Sequence, residues 1–348
     1  MAYTTINKST DYFNTKLYTG NGGTQSITGV GFQPDFTWIK DRESSDSVQS
    51  HALVDAVRGA TKVLVSNSSD GEFTGSSTLT AFNSDGFTLG NNAQCNRNGA
   101  NIASWNWKAG GGQGSSNTDG SLNTTYTSAN TTSGFSVISY IGDGNGGATL
   151  GHGMGKKPKF YMIKNLESSA NQWIGYVVYN NAMKYYNNGW SGTNTWADSA
   201  LALPTTDVFS IHWTAQQNES GTKYIAYCFA EVPGFCKIGT YIGNGNTDGP
   251  FIYTGFKPAL VMFKSGINTS NNWSMRDTKR DPFNASKNNL FANLSNSESV
   301  SNNLDILSNG IKLRNTGASW NTNGATYFYM AIAEAPLVGT NNVPCTAR

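Results

Sequence analysis

One strand-like segment occurs three times in this chain. Residues 31–40 read GFQPDFTWIK, residues 153–164 read GMGKKPKFYMIK, and residues 255–264 read GFKPALVMFK. Each sets Pro34, Pro158 or Pro258 ahead of an apolar run that ends on Lys40, Lys164 or Lys264. The spacings, 158 − 34 = 124 and 258 − 158 = 100 residues, are each the size of a small domain. Self-similarity at such a period governs what else can be read. Proline donates no amide hydrogen, so it suits the start of a strand and not its middle.

The surroundings of the segment repeat as well. Phe13, Phe135 and Phe235 lead to Tyr18-Thr19-Gly20-Asn21-Gly22, Tyr140-Ile141-Gly142-Asp143-Gly144 and Tyr241-Ile242-Gly243-Asn244-Gly245. These read as opening strands that run into tight turns, where Gly and Asn tolerate positive φ. Later come half-buried alternations at 85–89, 207–211 and 309–313. Hairpin turns follow at Asn98-Gly99, Ser220-Gly221 and Asn323-Gly324. Closing strands run from Ile102 to Lys108, Tyr224 to Glu231 and Tyr327 to Glu334, with Trp105 and Trp107, Tyr227 and Phe229, and Met330 and Ile332 at alternate positions.

Nine Trp, 16 Tyr and 17 Phe exclude a disordered chain. Short β-branched and aromatic runs between Gly- and Asn-rich turns imply an all-β protein. Residues 1–108, 134–233 and 234–348 are expected as three consecutive β-sandwich domains, each closing its apolar faces on itself. A jelly roll is the preferred topology because it limits exposed edges. Residues 109–133, rich in Gly, Ser, Thr and Asn, read as a linker. Copies two and three meet abruptly at Pro233-Gly234, which suggests that they pack together.

The net charge of +2 offers no basic field for a phosphate backbone, which argues against nucleic acid as a partner. No apolar run approaches the ~18 residues of a membrane span, and no basic-then-apolar leader follows Met1. Membrane insertion and signal-peptide export are therefore not expected. Cys95, Cys228, Cys236 and Cys345 lack CxxC spacing and read as free thiols.

Candidate chemistry is sparse, and neither a cofactor nor a metal is expected. The Gly-rich run at 142–156 ends in Lys156, but Lys157, Pro158 and a strand follow where a phosphate loop needs a helix. His51, His152 and His212 have no metal-ligand spacing; His152, between two glycines, reads as a turn cap. Asp55-x-x-Arg58 and Asp277-x-x-Arg280 occupy matched places, with Val177 in copy two, and suggest a repeated structural ion pair more than a catalytic one. No carboxylate pair is placed for glycoside hydrolysis, so no catalytic residues are named and no enzyme is expected. Segment 183–198 carries Tyr185, Tyr186, Trp190 and Trp196 beside Asn194 and Asp198, and Trp320 lies in the third copy's last turn. Exposed, such rings would stack on sugar C–H groups while amide and carboxylate bind hydroxyls; buried, they would plug a sandwich or an inter-domain contact.

The opening YTTINKSTDYFNTKLYTGNG, the block GVGFQPDFTWIK, DAVRGATK after His51, NSDGFTLG, WNWKAGG, SANTTSGFSVISYIGDG, YTGFKPALVMFK, NGIKLR and AIAEAP form a specific set. That set resembles a family of repeated concanavalin A-like sandwich modules in virion proteins of marine bacteriophages, often labelled tail fibre or structural protein. The resemblance implies a virion surface protein that contacts the host through surface glycan or another receptor, or else a capsid-decoration or tail-assembly protein bound to other virion proteins. A trimeric homo-oligomer would suit a fibre. The first module begins within about a dozen residues of Met1 and no heptads appear, which favours a short side fibre or tip, or a head decoration. Glycan binding follows by analogy with lectin-like folds alone.

Overall fold

The computed structural model describes residues 4–43, 49–179, 182–186, 201–266 and 271–336. Among these the protein is all-β, with helical geometry confined to a 3-10 turn at Ser9–Asp11 and one α-turn at Ala93–Asn96. Each Pro-led run lies inside an antiparallel sheet. In the first copy the order across the sheet is Phe13–Thr19, Asn101–Trp107, Phe36–Asp41, Ala52–Asp55. The second copy repeats it with Phe135–Ile141, Lys223–Ala230, Pro158–Asn165 and Ile174–Tyr179. The third does so with Cys236–Ile242, Thr326–Pro336, Phe256–Ser265 and Ser274–Asp277. Each closing strand thus inserts between its copy's opening and Pro-led strands.

Pro34 stands just before its strand and Pro158 begins one. Pro258 departs from expectation: it lies inside Phe256–Ser265, where the ladder slips on both sides of it. Its missing donor falls at a bulge, the one interior place a sheet tolerates it.

A smaller layer covers one face of each inner sheet. Gln25–Thr28, Gly86–Leu89 and Leu79–Asn83 form it in the first copy, Thr149–Gly151 and Val208–Ser210 in the second. In the third, Ser286–Phe291 connects this layer to the inner sheet. One eight-stranded sheet results, nearly closed like a barrel.

The copies do not close their apolar faces on themselves, contrary to expectation. Every residue of Phe36–Asp41 and Ala52–Asp55 is buried, which requires cover on both sides of the sheet. On one side Ile27, Val54, Phe87 and Ile102 form the first copy's own core. Tyr140, Leu150, Tyr161 and Phe209 do the same in the second. On the other side, Trp38, Trp105 and Trp107 join Phe160, Met162 and Tyr227 of the second copy and Leu260, Met262 and Met330 of the third in one cluster. Rings touch across the copies, with centroids 4.5 Å apart for Phe36 and Tyr227 and 5.7 Å for Phe160 and Phe328. Each large side chain so buried contributes roughly 1.5–3 kcal/mol.

The segment 109–133, expected as a linker, is built into the sheets. Tyr126–Asn130 adds an edge strand to Phe135–Ile141, and Leu122 bridges Leu150 in parallel sense. The Asp35 carboxylate holds its start by accepting the amides of Ala109, Gly111 and Gly112 at 2.6, 3.0 and 2.6 Å. Its glycines serve close approach: a Cβ on Gly114 would lie 2.1 Å from Thr127 O, and one on Gly120 2.2 Å from Thr149 O.

Candidate binding cleft between the first and second copies

The Asp-x-x-Arg pairs are structural, and each reaches into a neighbouring copy. Arg58 Nε lies 2.6 Å from Asp55 Oδ2, which also accepts Tyr227 O–H of the second copy at 2.6 Å. Arg280 Nε lies 2.5 Å from Asp277 Oδ2, which also accepts the indole N–H of Trp105 from the first copy at 3.1 Å. The Arg280 guanidinium stands over the Trp105 ring, 5.5 Å from its centroid. Trp105, Tyr227 and Met330 occupy matched places opposite Trp38, Met162 and Met262. Where the neighbouring copy offers N–H or O–H the facing residue is Asp; in copy two the matched residue is Val177, which lies in the shared apolar cluster together with Met330.

His51 links the first copy to the third. Trp38 Nε1 donates to His51 Nδ1 at 2.8 Å, so the ring proton sits on Nε2, 3.0 Å from Phe291 O. Burial holds His51 well below its ordinary value. It is neutral. His152 has the same tautomer, accepting from Met154 N on Nδ1 and facing Thr205 O with Nε2, so it caps its turn as expected. The run-ending lysines are buried as well. Lys40 donates to Asp41 O and Gln49 O, Lys164 to Ser69 O and Asn171 O, and Lys264 to Asn271 O. Burial lowers all three to about 8.

Two junctions use the same parts and finish differently. Between copies three and one, Glu298 receives Arg280 Nη1 at 2.7 Å and Arg42 Nη2 and Nε at 2.7 and 3.1 Å, while its own amide donates to Arg42 O at 2.8 Å. Between copies one and two, Glu72 receives Arg58 Nη1 at 3.1 Å and its amide donates to Leu166 O at 2.7 Å. Leu166 thus stands in the place of Arg42 and brings no guanidinium. A cleft of about 250 Å³ opens there.

The second oxygen of Glu72 has Lys62 Nζ at 3.7 Å, outside hydrogen-bond range. Gln113 and Tyr126 of the connecting segment line the cleft. Gln113 Nε2 donates to Val57 O at 3.1 Å, which leaves its side-chain oxygen to accept. Tyr126 stands opposite Ser139 in register. Ser139 Oγ is buried in the wall and has no hydrogen-bond partner among the described residues. Lys223, largely exposed, completes the rim. An open carboxylate edge, an unpartnered hydroxyl and an amide oxygen beside a ring make a hydrogen-bonding site.

Of the expected ligand residues, Trp190, Asn194, Trp196 and Asp198 lie outside the described residues. Tyr185 and Tyr186 end the strand Ala182–Tyr186, of which the backbone alone is described there. Trp320 is a correction. It is 5% exposed, edge-on to Phe263 at 5.0 Å, with the Arg276 guanidinium 5.2 Å from its ring centroid. Its carbonyl accepts Tyr241 O–H, as Cys95 O accepts Tyr18 and Gln217 O accepts Tyr140. The position is buried in all three copies, so the ring faces the core.

Next to that position each copy keeps a buried Asn. Asn96, Asn218 and Asn321 donate to Asn21, Asp143 and Asn244 in the facing turn. An exposed ring missed from the sequence is Trp213, 64% exposed, where the other copies carry Asn91 and Asn315. Phe251 and Tyr253 are likewise 46% and 53% exposed where the first copy has Ser26 and Thr28. Departure from the repeat was the available signal. Cys95, Cys228 and Cys236 are buried free thiols, and Cys345 lies outside the described residues. Among the described residues no three His, Cys, Asp or Glu side chains gather as a metal site.

No curated protein and no solved structure matches the chain. One family does, described as a domain of unknown function, and the match runs over residues 8–336, through all three copies. The chain therefore belongs to the DUF7483 family, whose unit takes in the whole three-copy arrangement.

Proposed function

We propose that the protein is a non-enzymatic surface protein of a bacteriophage virion, of tail-fibre or fibre-tip type, that contacts the host by binding surface glycan. Its repeats are read as three jelly-roll, concanavalin A-like sandwiches with their turns facing outward. The carrying observation is the exposure of Trp213, Phe251 and Tyr253 at places that are polar in the first copy. Large rings left substantially in water at copy-specific positions pack far less than core rings and suit stacking on a ligand. A binding role is further supported by the engagement of Asp55, Asp277, His51 and His152 with structural partners. The resemblance to phage virion modules supplies the setting. Glycan-array and host-cell binding with purified protein test the reading; no binding at high micromolar protein would overturn it.

The alternative, a capsid-decoration or tail-assembly protein, is favoured by one observation. Phe251–Tyr253 is an edge strand with two exposed rings, a surface suited to a protein partner. Antibody labelling of virions distinguishes tail from head. Sedimentation of the purified protein tests the expected trimer.

A further inference from the structure

We infer that the cleft between the first and second copies binds one sugar ring of the glycan, with two adjacent hydroxyls donating to the carboxylate of Glu72. This rests on the glycan reading above and names the site and the recognised chemistry. The matched junction shows what Glu72 lacks: on Glu298 the two N–H groups of Arg42 donate side by side at 2.7 and 3.1 Å. A vicinal diol presents two O–H donors at comparable spacing and carries no charge. Neutrality matters, because Asp55 and Glu72 share the charge of Arg58 at 2.6 and 3.1 Å while Lys62, 3.7 Å from the second oxygen of Glu72, balances the remaining negative charge; a further cation would be in excess.

The remaining wall suits the rest of a sugar. Ser139 Oγ, buried without a partner among the described residues, and the side-chain oxygen of Gln113 can each take a hydroxyl hydrogen bond. Tyr126 offers an apolar ring face for C–H groups. At about 250 Å³ the space is below the ~300–1,000 Å³ usual for small-molecule sites. It fits a single ring with the glycan chain leading outward.

The test is a ligand-observed NMR titration of the full chain with methyl glycosides, beside methylguanidinium as the cationic probe. Binding of a methyl glycoside in the millimolar range is expected. Leu166→Arg, which copies the filled junction, should abolish it while the melting temperature holds or rises. Ser139→Ala, which removes one hydroxyl, should weaken it by about three- to tenfold. No glycoside signal at tens of millimolar, unchanged binding in Leu166→Arg, or binding of methylguanidinium alone would each overturn the site. Glycan-array binding that survives in Leu166→Arg would sink this cleft and leave the glycan reading standing; an array silent for the wild type would sink both.

Discussion

The junction between copies three and one and that between copies one and two share an Asp–Arg pair, a facing ring and a glutamate. Yet Arg42 fills one and Leu166 leaves the other open. The constant part of these two junctions is a fully buried ion pair plus an N–H or O–H from the next copy's closing strand, whereas copy two, with Val177 at that place, meets the third copy through apolar packing. The outer cation is dispensable. A junction can lose it and remain a junction, and what it gains is a concave surface with an underused carboxylate.

The sharpest way to break this comparison is to remove the shared part. Asp55→Ala and Asp277→Ala each strand a buried guanidinium and should each cost about 3–5 kcal/mol in urea unfolding. Losses under about 1 kcal/mol in both would show that packing of the rings alone joins the copies.

A pH series probes the two buried histidines, of which His51 reaches the third copy. Below the ordinary histidine value of 6.5 the unfolded chain takes up protons that folded His51 and His152, both held neutral by burial, do not. Stability should thus fall as pH drops through that range, by up to about 1.4 kcal/mol per pH unit for each. His51→Gln should shallow the slope; an unchanged slope would remove His51 from the account.

Arg42→Leu turns the filled junction into a copy of the open one. It should cost about 1–2 kcal/mol, between an exposed and a buried charged contact, and open a second cleft that a crystal structure would reveal. Smallest of all, Trp213→Ser should leave stability within about 0.5 kcal/mol while lowering adsorption to host cells. A clear drop in melting temperature would mean that the ring packs against something.

The strands were legible because alternation and turn chemistry act over a few residues: the Pro-led runs, the closing strands at Trp105, Tyr227 and Met330, and the turn cap at His152 all stand where the pattern put them. What escaped depends on neighbours far along the chain. Trp105 and Tyr227 plainly face a core, but nothing local says that the core belongs to three copies at once. Glu72 and Glu298 do not align by eye, since they follow Arg58 and Arg280 at different distances, so the cleft was hidden. Of the two readings open for Trp320 the buried one holds: its polar neighbours Ser319 and Asn321 suggest a surface turn, whereas Asn321 is itself buried and pinned. The Gly- and Ser-rich composition of 109–133 reflects tight backbone contact, which composition cannot tell from looseness.

The shared core lies within a single polypeptide, and that has a consequence for how such a surface can change. An assembly of identical subunits repeats every substitution around its axis, so opening one joint opens all of them. Tandem duplication lifts that restriction. Here one joint can stay clamped for strength while its sibling is hollowed for recognition, and a lone tryptophan can appear on one unit without being copied onto the rest.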